Sequence, residues 1–128
     1  MSFDLSQFHG PISASFASDK ALVEDELTAD QVSFFEENGY LAGIDLLDID
    51  QVEILRDDLA AIMLPEMSND PRFYEFNLNE SADVSKVLFH ALGAWRVSEA
   101  FHDLVFLPRL AACFQQLLSG RPRFWHDQ

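Results

Sequence analysis

The sequence predicts a mainly helical α+β domain with two or three short strands, and three observations lead there. Two segments open with Thr28-x-x-Gln31 and Asp48-x-x-Gln51, each followed by apolar residues at helical spacing. Two more helix starts are marked by Ser98 and Pro108. Between and after them lie apolar or aromatic stretches at 40–44, 73–76 and 121–128, bounded by turn formers and too short for helices.

Residues 1–26 are rich in serine and other small residues, carry a Gly10-Pro11 break and show no sustained period, which predicts an extension or a loose N-terminal arm. The folded part then begins at residue 27. In the first box the Thr28 hydroxyl accepts from an orphan N–H of the opening turn while Gln31 reaches back to the cap. Leu27 and Val32 staple the entry, Val32 and Phe35 share the inner face, and Gly39 offers the left-handed residue that stops the helix after Asn38. Tyr40 to Ile44 reads as a buried strand.

Asp48 and Gln51 repeat the cap, with Leu47 and Val52 as staple. Val52, Leu55, Leu59 and Ile62 form one stripe, and Pro65 stops the helix. Asn69-Asp70-Pro71 turns the chain into Phe73-Tyr74-Glu75-Phe76, for which strand and irregular coil both remain open. A helix over 81–92 follows, with Val84, Val87, Leu88 and Ala91 on its apolar side and Gly93 as its end. The next starts at Ser98 and carries Phe101, Leu104 and Val105. The last begins at Pro108, carries Leu110, Phe114, Leu117 and Leu118 as its stripe, and ends at Gly120. Residues 121–128 alternate like a strand, with Phe124 and His126 on one face and Arg123, Trp125 and Asp127 on the other.

Composition supports a folded chain: 48% of the 128 residues are hydrophobic and twelve are phenylalanine. The net charge of −14 is uneven. Residues 1–64 hold fourteen acids against Lys20 and Arg56, and residues 65–128 hold eight acids against six bases. That field repels phosphate backbones and argues against nucleic-acid binding. Cys113 is the single cysteine, so an intrachain disulfide and a cysteine-based zinc site are both excluded, and its apolar neighbours predict a buried thiol. The N-terminus lacks a basic, apolar leader and no stretch approaches the ~20 apolar residues of a membrane span. The expectation is a cytoplasmic chain with no membrane partner.

Chemistry-bearing patterns are sparse. A facial triad needs two histidines and a carboxylate, usually opened by His-x-Asp or His-x-Glu on a strand, and none of His9, His90, His102 and His126 has an acid at +2. His102-Asp103 and His126-Asp127 are adjacent pairs whose side chains diverge along a helix or strand, so chelation is disfavoured. His90 is expected to cap or pack near the end of its helix. The run from Asp45 to Asp50 puts Leu47 and Ile49 where an EF-hand needs oxygen ligands. Glu36-Glu37 reads as a solvated helix face. No phosphate cradle, nucleophile elbow or Cys/His dyad is present.

The order of the segments is informative. Leu27-Thr28-Ala29-Asp30-Gln31-Val32-Ser33-Phe34-Phe35-Glu36-Glu37-Asn38-Gly39-Tyr40-Leu41, then a capped helix ending near Leu59-Ala60-Ala61-Ile62, resembles the N-terminal region of the phytanoyl-CoA dioxygenase family. Phe101-His102-Asp103-Leu104, Leu107-Pro108-Arg109-Leu110, Leu117-Leu118-Ser119-Gly120 and Phe124-Trp125-His126-Asp127-Gln128 look like that family's approach to its core. The resemblance covers residues 27–128.

It implies the helical support and first strand of a double-stranded β-helix (jelly-roll) oxygenase, with the barrel core absent. The complete family enzyme uses Fe(II) and 2-oxoglutarate to hydroxylate an unactivated C–H bond. The resemblance places the His-x-Asp iron motif, the second histidine and the arginine for 2-oxoglutarate after residue 128. No catalytic residue and no metal ligand is therefore expected here, and neither cofactor is expected to bind this chain tightly. Gln128 alone carries over, as a 2-oxoglutarate contact, and Trp95-Arg96 are expected to pack beside a surface ion pair. The expected partners are a missing C-terminal half or a second copy joined through the terminal strand edge. The other reading is a non-catalytic, acidic, helical interaction module derived from the same scaffold.

Overall fold

Both capping boxes form. Thr28 Oγ1 accepts from the Gln31 amide at 3.2 Å while Gln31 Oε1 accepts from the Thr28 amide at 2.8 Å, opening α1 (Ala29–Asn38). Asp48 and Gln51 exchange the same two bonds at 2.9 and 3.1 Å to open α2 (Ile49–Ile62). Gly39 ends α1 at φ 77°, a left-handed conformation that a Cβ would strain. α3 (Glu99–Val105) starts from a Ser98 cap, and α4 (Pro108–Leu117) has proline in its first turn. With β1 (Glu75–Asn77) and β2 (His90–Leu92), paired antiparallel with Phe76 opposite Ala91, the fold is α+β. This computed structural model describes residues 3–16 and 26–128.

Several predicted elements take another form. Tyr40 to Ile44 makes no strand: Gly43 sits at φ 77° and breaks an extended run. Residues 121–128 make none either, because no segment among the described residues ladders against them. α4 stops before Gly120: Ser119 takes the left-handed position, at φ 49°, and the Gly120 amide donates back to the Gln115 carbonyl at 3.3 Å.

The helix predicted over 81–92 is replaced by a loop that returns into β2. Short polar side chains there bond their own backbone and so compete with helix formation. Asn79 Oδ1 accepts from the amides of Ser81 and Leu88, both at 2.9 Å, and Asp83 Oδ1 accepts from the Ser85 amide and hydroxyl. Val84, Val87 and Leu88 consequently face solvent, and Ala91 alone of the predicted stripe is buried.

Over residues 3–16 the N-terminal arm is anchored to the helical part. Leu5 and Phe16 are buried, and Gln51, itself buried, donates from Nε2 to the Ser15 carbonyl at 3.0 Å. The arm's remaining residues, 1–2 and 17–25, lie outside the described residues. Arg96 pairs with Asp4 and stacks its guanidinium 4.4 Å from the Tyr74 ring centre, and Arg72 pairs with Asp70 at 2.6 Å while donating to the Phe3 carbonyl. The ion pair beside Trp95-Arg96 is thus half-buried rather than on the surface.

The Arg96 hydrogen bond holds the Asp4 carboxyl far below the usual carboxylate range, and the Arg72 hydrogen bond lowers Asp70. A depressed folded pKa contributes stability that is fully present above the unfolded value, near ~4, and is lost as pH falls through the folded value. Asp4→Asn should therefore be less stable than the native chain at neutral pH, with the difference shrinking as pH drops below about 4. Urea melts across pH 2 to 7 check this.

Candidate functional site

Gln128, the one residue assigned a cosubstrate role from sequence, lies at the rim of a cleft of about 450 Å³ lined by Leu59, Ile62, His90, Phe101 and Asp127. The neighbouring Asp127 explains how the terminal segment reaches it. Its carboxylate accepts from the backbone amides of Gly93 and Trp95, both at 2.8 Å. Gly93 has φ 102°, and a Cβ there would sit 3.2 Å from the Arg72 carbonyl, so glycine is required at this turn. Phe124 adds an edge-on contact to Trp95 at 5.3 Å, while Trp125 is 87% exposed.

The adjacent His-Asp pairs separate into two different devices. His102 and Asp103 are both wholly buried on α3, and their side chains meet, with Nδ1 3.0 Å from Oδ1. Asp103 also accepts from the amides of Ile12 at 2.7 Å and Ser13 at 2.6 Å, and His102 Nε2 lies 3.2 Å from the Phe8 carbonyl. Both ring nitrogens therefore face oxygen acceptors, and the pair is spent on clasping the arm. In the second pair Asp127 bonds backbone amides, while His126 is exposed.

His90 stands on β2 instead of near a helix end, because β2 pairs with β1 in a register that sets it opposite Asn77. Glu75 and Asn77 alternate onto that same face of the hairpin, and Glu80 reaches it from just beyond the strand, where its amide donates to the Leu88 carbonyl at 2.9 Å. One ligand-capable atom from each of Glu75, Glu80 and His90 lies within 4.8 Å of the other two. It is the one such group of three among the described residues. No linear motif announces it, because Glu75 and His90 are joined only by strand pairing and residues 81–92 carry helical spacing.

The described histidines do not furnish a facial triad. His102 is committed to Asp103 and Phe8, His9 and His126 are exposed, and His90 gathers two glutamates without a second histidine. Among the described residues no helix is long and apolar enough to cross a membrane. Neither the models of known protein families nor the curated proteins contain a match to this sequence.

Proposed function

We propose that residues 27–128 are the N-terminal part of a phytanoyl-CoA dioxygenase-like, Fe(II)- and 2-oxoglutarate-dependent oxygenase, forming the helical support and first strand of its jelly-roll barrel. The observation that carries this reading is the ordered run of a capped helix closed by Gly39, a second capped helix, and a terminal Trp125-His126-Asp127-Gln128 segment that brings Gln128 to a cleft under α2 and α3. In the complete enzyme, iron and 2-oxoglutarate supply the oxidation of an unactivated C–H bond. The described residues do not fit that iron site, so its ligands are assigned to sequence after residue 128, as are the strands against which 121–128 would ladder. This chain's own part is to wall the cleft: Asp127 pins the terminal segment to the 93–95 turn, and Gln128 offers a carboxamide that can hydrogen-bond a carboxylate.

The test is the coding sequence after codon 128. A frame encoding a lysine-bearing strand followed by His-x-Asp, whose product gains 2-oxoglutarate-dependent iron binding, supports the reading. Unrelated sequence there overturns it. A second reading, an acidic module that binds a protein partner, is favoured by the exposure of Trp125 and Phe124 beside one another.

A further inference from the structure

We propose that Glu75, Glu80 and His90 form a binding site for a divalent transition cation of the zinc class. This site does not rest on the oxygenase reading, although Glu80 and His90 also line the cleft that Gln128 reaches. Three features of the hairpin carry it.

First, the donor set is of the right chemistry: one imidazole with two carboxylates suits zinc and its neighbours, whereas calcium and magnesium favour oxygen alone. Second, the spacing fits. Ligands about 2.0–2.1 Å from a tetrahedral ion are about 3.3 Å apart, and His90 Nδ1 lies 3.3 Å from Glu80 Oε2. Glu75, within 4.8 Å of both, needs only a side-chain adjustment to complete the third position, leaving the fourth for water.

Third, the fold holds these groups together without neutralising them. Asn77 Nδ2 donates to Oε1 of Glu80 at 2.9 Å and to Oε1 of Glu75 at 3.4 Å, which gathers the two carboxylates while leaving their second oxygens for another partner. No lysine or arginine pairs with either one among the described residues, so two negative groups are kept close with only His90 beside them. The imidazole turns Nδ1 toward this group, 3.3 Å from Glu80 Oε2, whereas both nitrogens of His102 are engaged elsewhere. A cation among the three side chains offsets the carboxylate repulsion and gives the ring a strong partner.

The test is calorimetric titration of the full chain with Zn²⁺ at neutral pH, with Co²⁺ absorption reporting geometry. The expected result is one ion per chain, a tetrahedral Co²⁺ spectrum, and a fall in affinity of about tenfold or more in Glu75→Gln/Glu80→Gln, both of whose side chains are exposed and so dispensable for folding. His90→Gln should lose the same binding. A His9→Gln/His126→Gln variant should keep it. Absence of binding, binding unchanged in the glutamine double variant, loss confined to the His9/His126 variant, or preference for Ca²⁺ over Zn²⁺ would each overturn the proposal.

Discussion

Asp103→Ala should lower stability by about 3–5 kcal/mol. The carboxylate is wholly buried and accepts from the amides of Ile12 and Ser13 and from His102, so its removal leaves two half-buried backbone donors and a buried imidazole without their acceptor. Each buried group left unpaired costs roughly 1–3 kcal/mol, and total stabilities of small domains are only about 5–15 kcal/mol. Asp103→Asn keeps one acceptor oxygen and should cost less. Urea denaturation measures the loss. Amide exchange at Ile12 and Ser13 locates it, since those protons should exchange faster than those of α2 in both variants. Equal stability of all three proteins would show that the arm is not clasped by this residue.

Asp127→Ala should have the next largest effect, about 2–3 kcal/mol, from unpairing the Gly93 and Trp95 amides. Its local consequence is more telling than its size. With the pin removed, residues 121–128 lose their bond to the 93–95 turn, and Gln128 leaves the cleft it lines beside Phe101. Exchange at Gly93 and Trp95 should accelerate while exchange within α1 stays unchanged, and the fluorescence of Trp95, packed against Phe124, should shift. Asp127→Asn, with one acceptor retained, should fall between.

These two carboxylates show why part of the fold was legible in the sequence and part was not. The capping boxes of Thr28 and Asp48 are closed within four residues, so their chemistry is written in local spacing and both helices start where it directs. Pro108 and Ser98 work the same way. Asp103 bonds residues 91 and 90 positions away, and Asp127 reaches back 34 and 32, distances over which no periodicity carries information. The adjacency of His102 and Asp103 suggested side chains that diverge. Both are fully buried, which leaves them facing each other and the arm rather than solvent.

The hairpin is the clearest mismatch. Val84, Val87, Leu88 and Ala91 have helical spacing, but Ser81, Asp83 and Ser85 bond locally, and strand pairing sets the buried Ala91 opposite Phe76. Strand pairing then sets His90 beside Glu75 and Glu80, which no linear motif announces. For the terminal segment, alternation of Phe124 and His126 against Trp125 and Asp127 satisfies the strand pattern, yet a strand also needs a neighbour to bond, and none of the described elements supplies one.

Anaerobic titration of this chain with Fe(II) in the presence and absence of 2-oxoglutarate separates the support of an oxygenase from an oxygenase. The expected result is no 2-oxoglutarate-dependent iron binding and no charge-transfer band between iron and the 2-oxo acid. Any iron taken up should be indifferent to 2-oxoglutarate and should disappear in Glu75→Gln/Glu80→Gln. Stoichiometric iron binding that requires 2-oxoglutarate, and that survives in the glutamine double variant, would mean that this chain already holds the centre assigned to the sequence after residue 128.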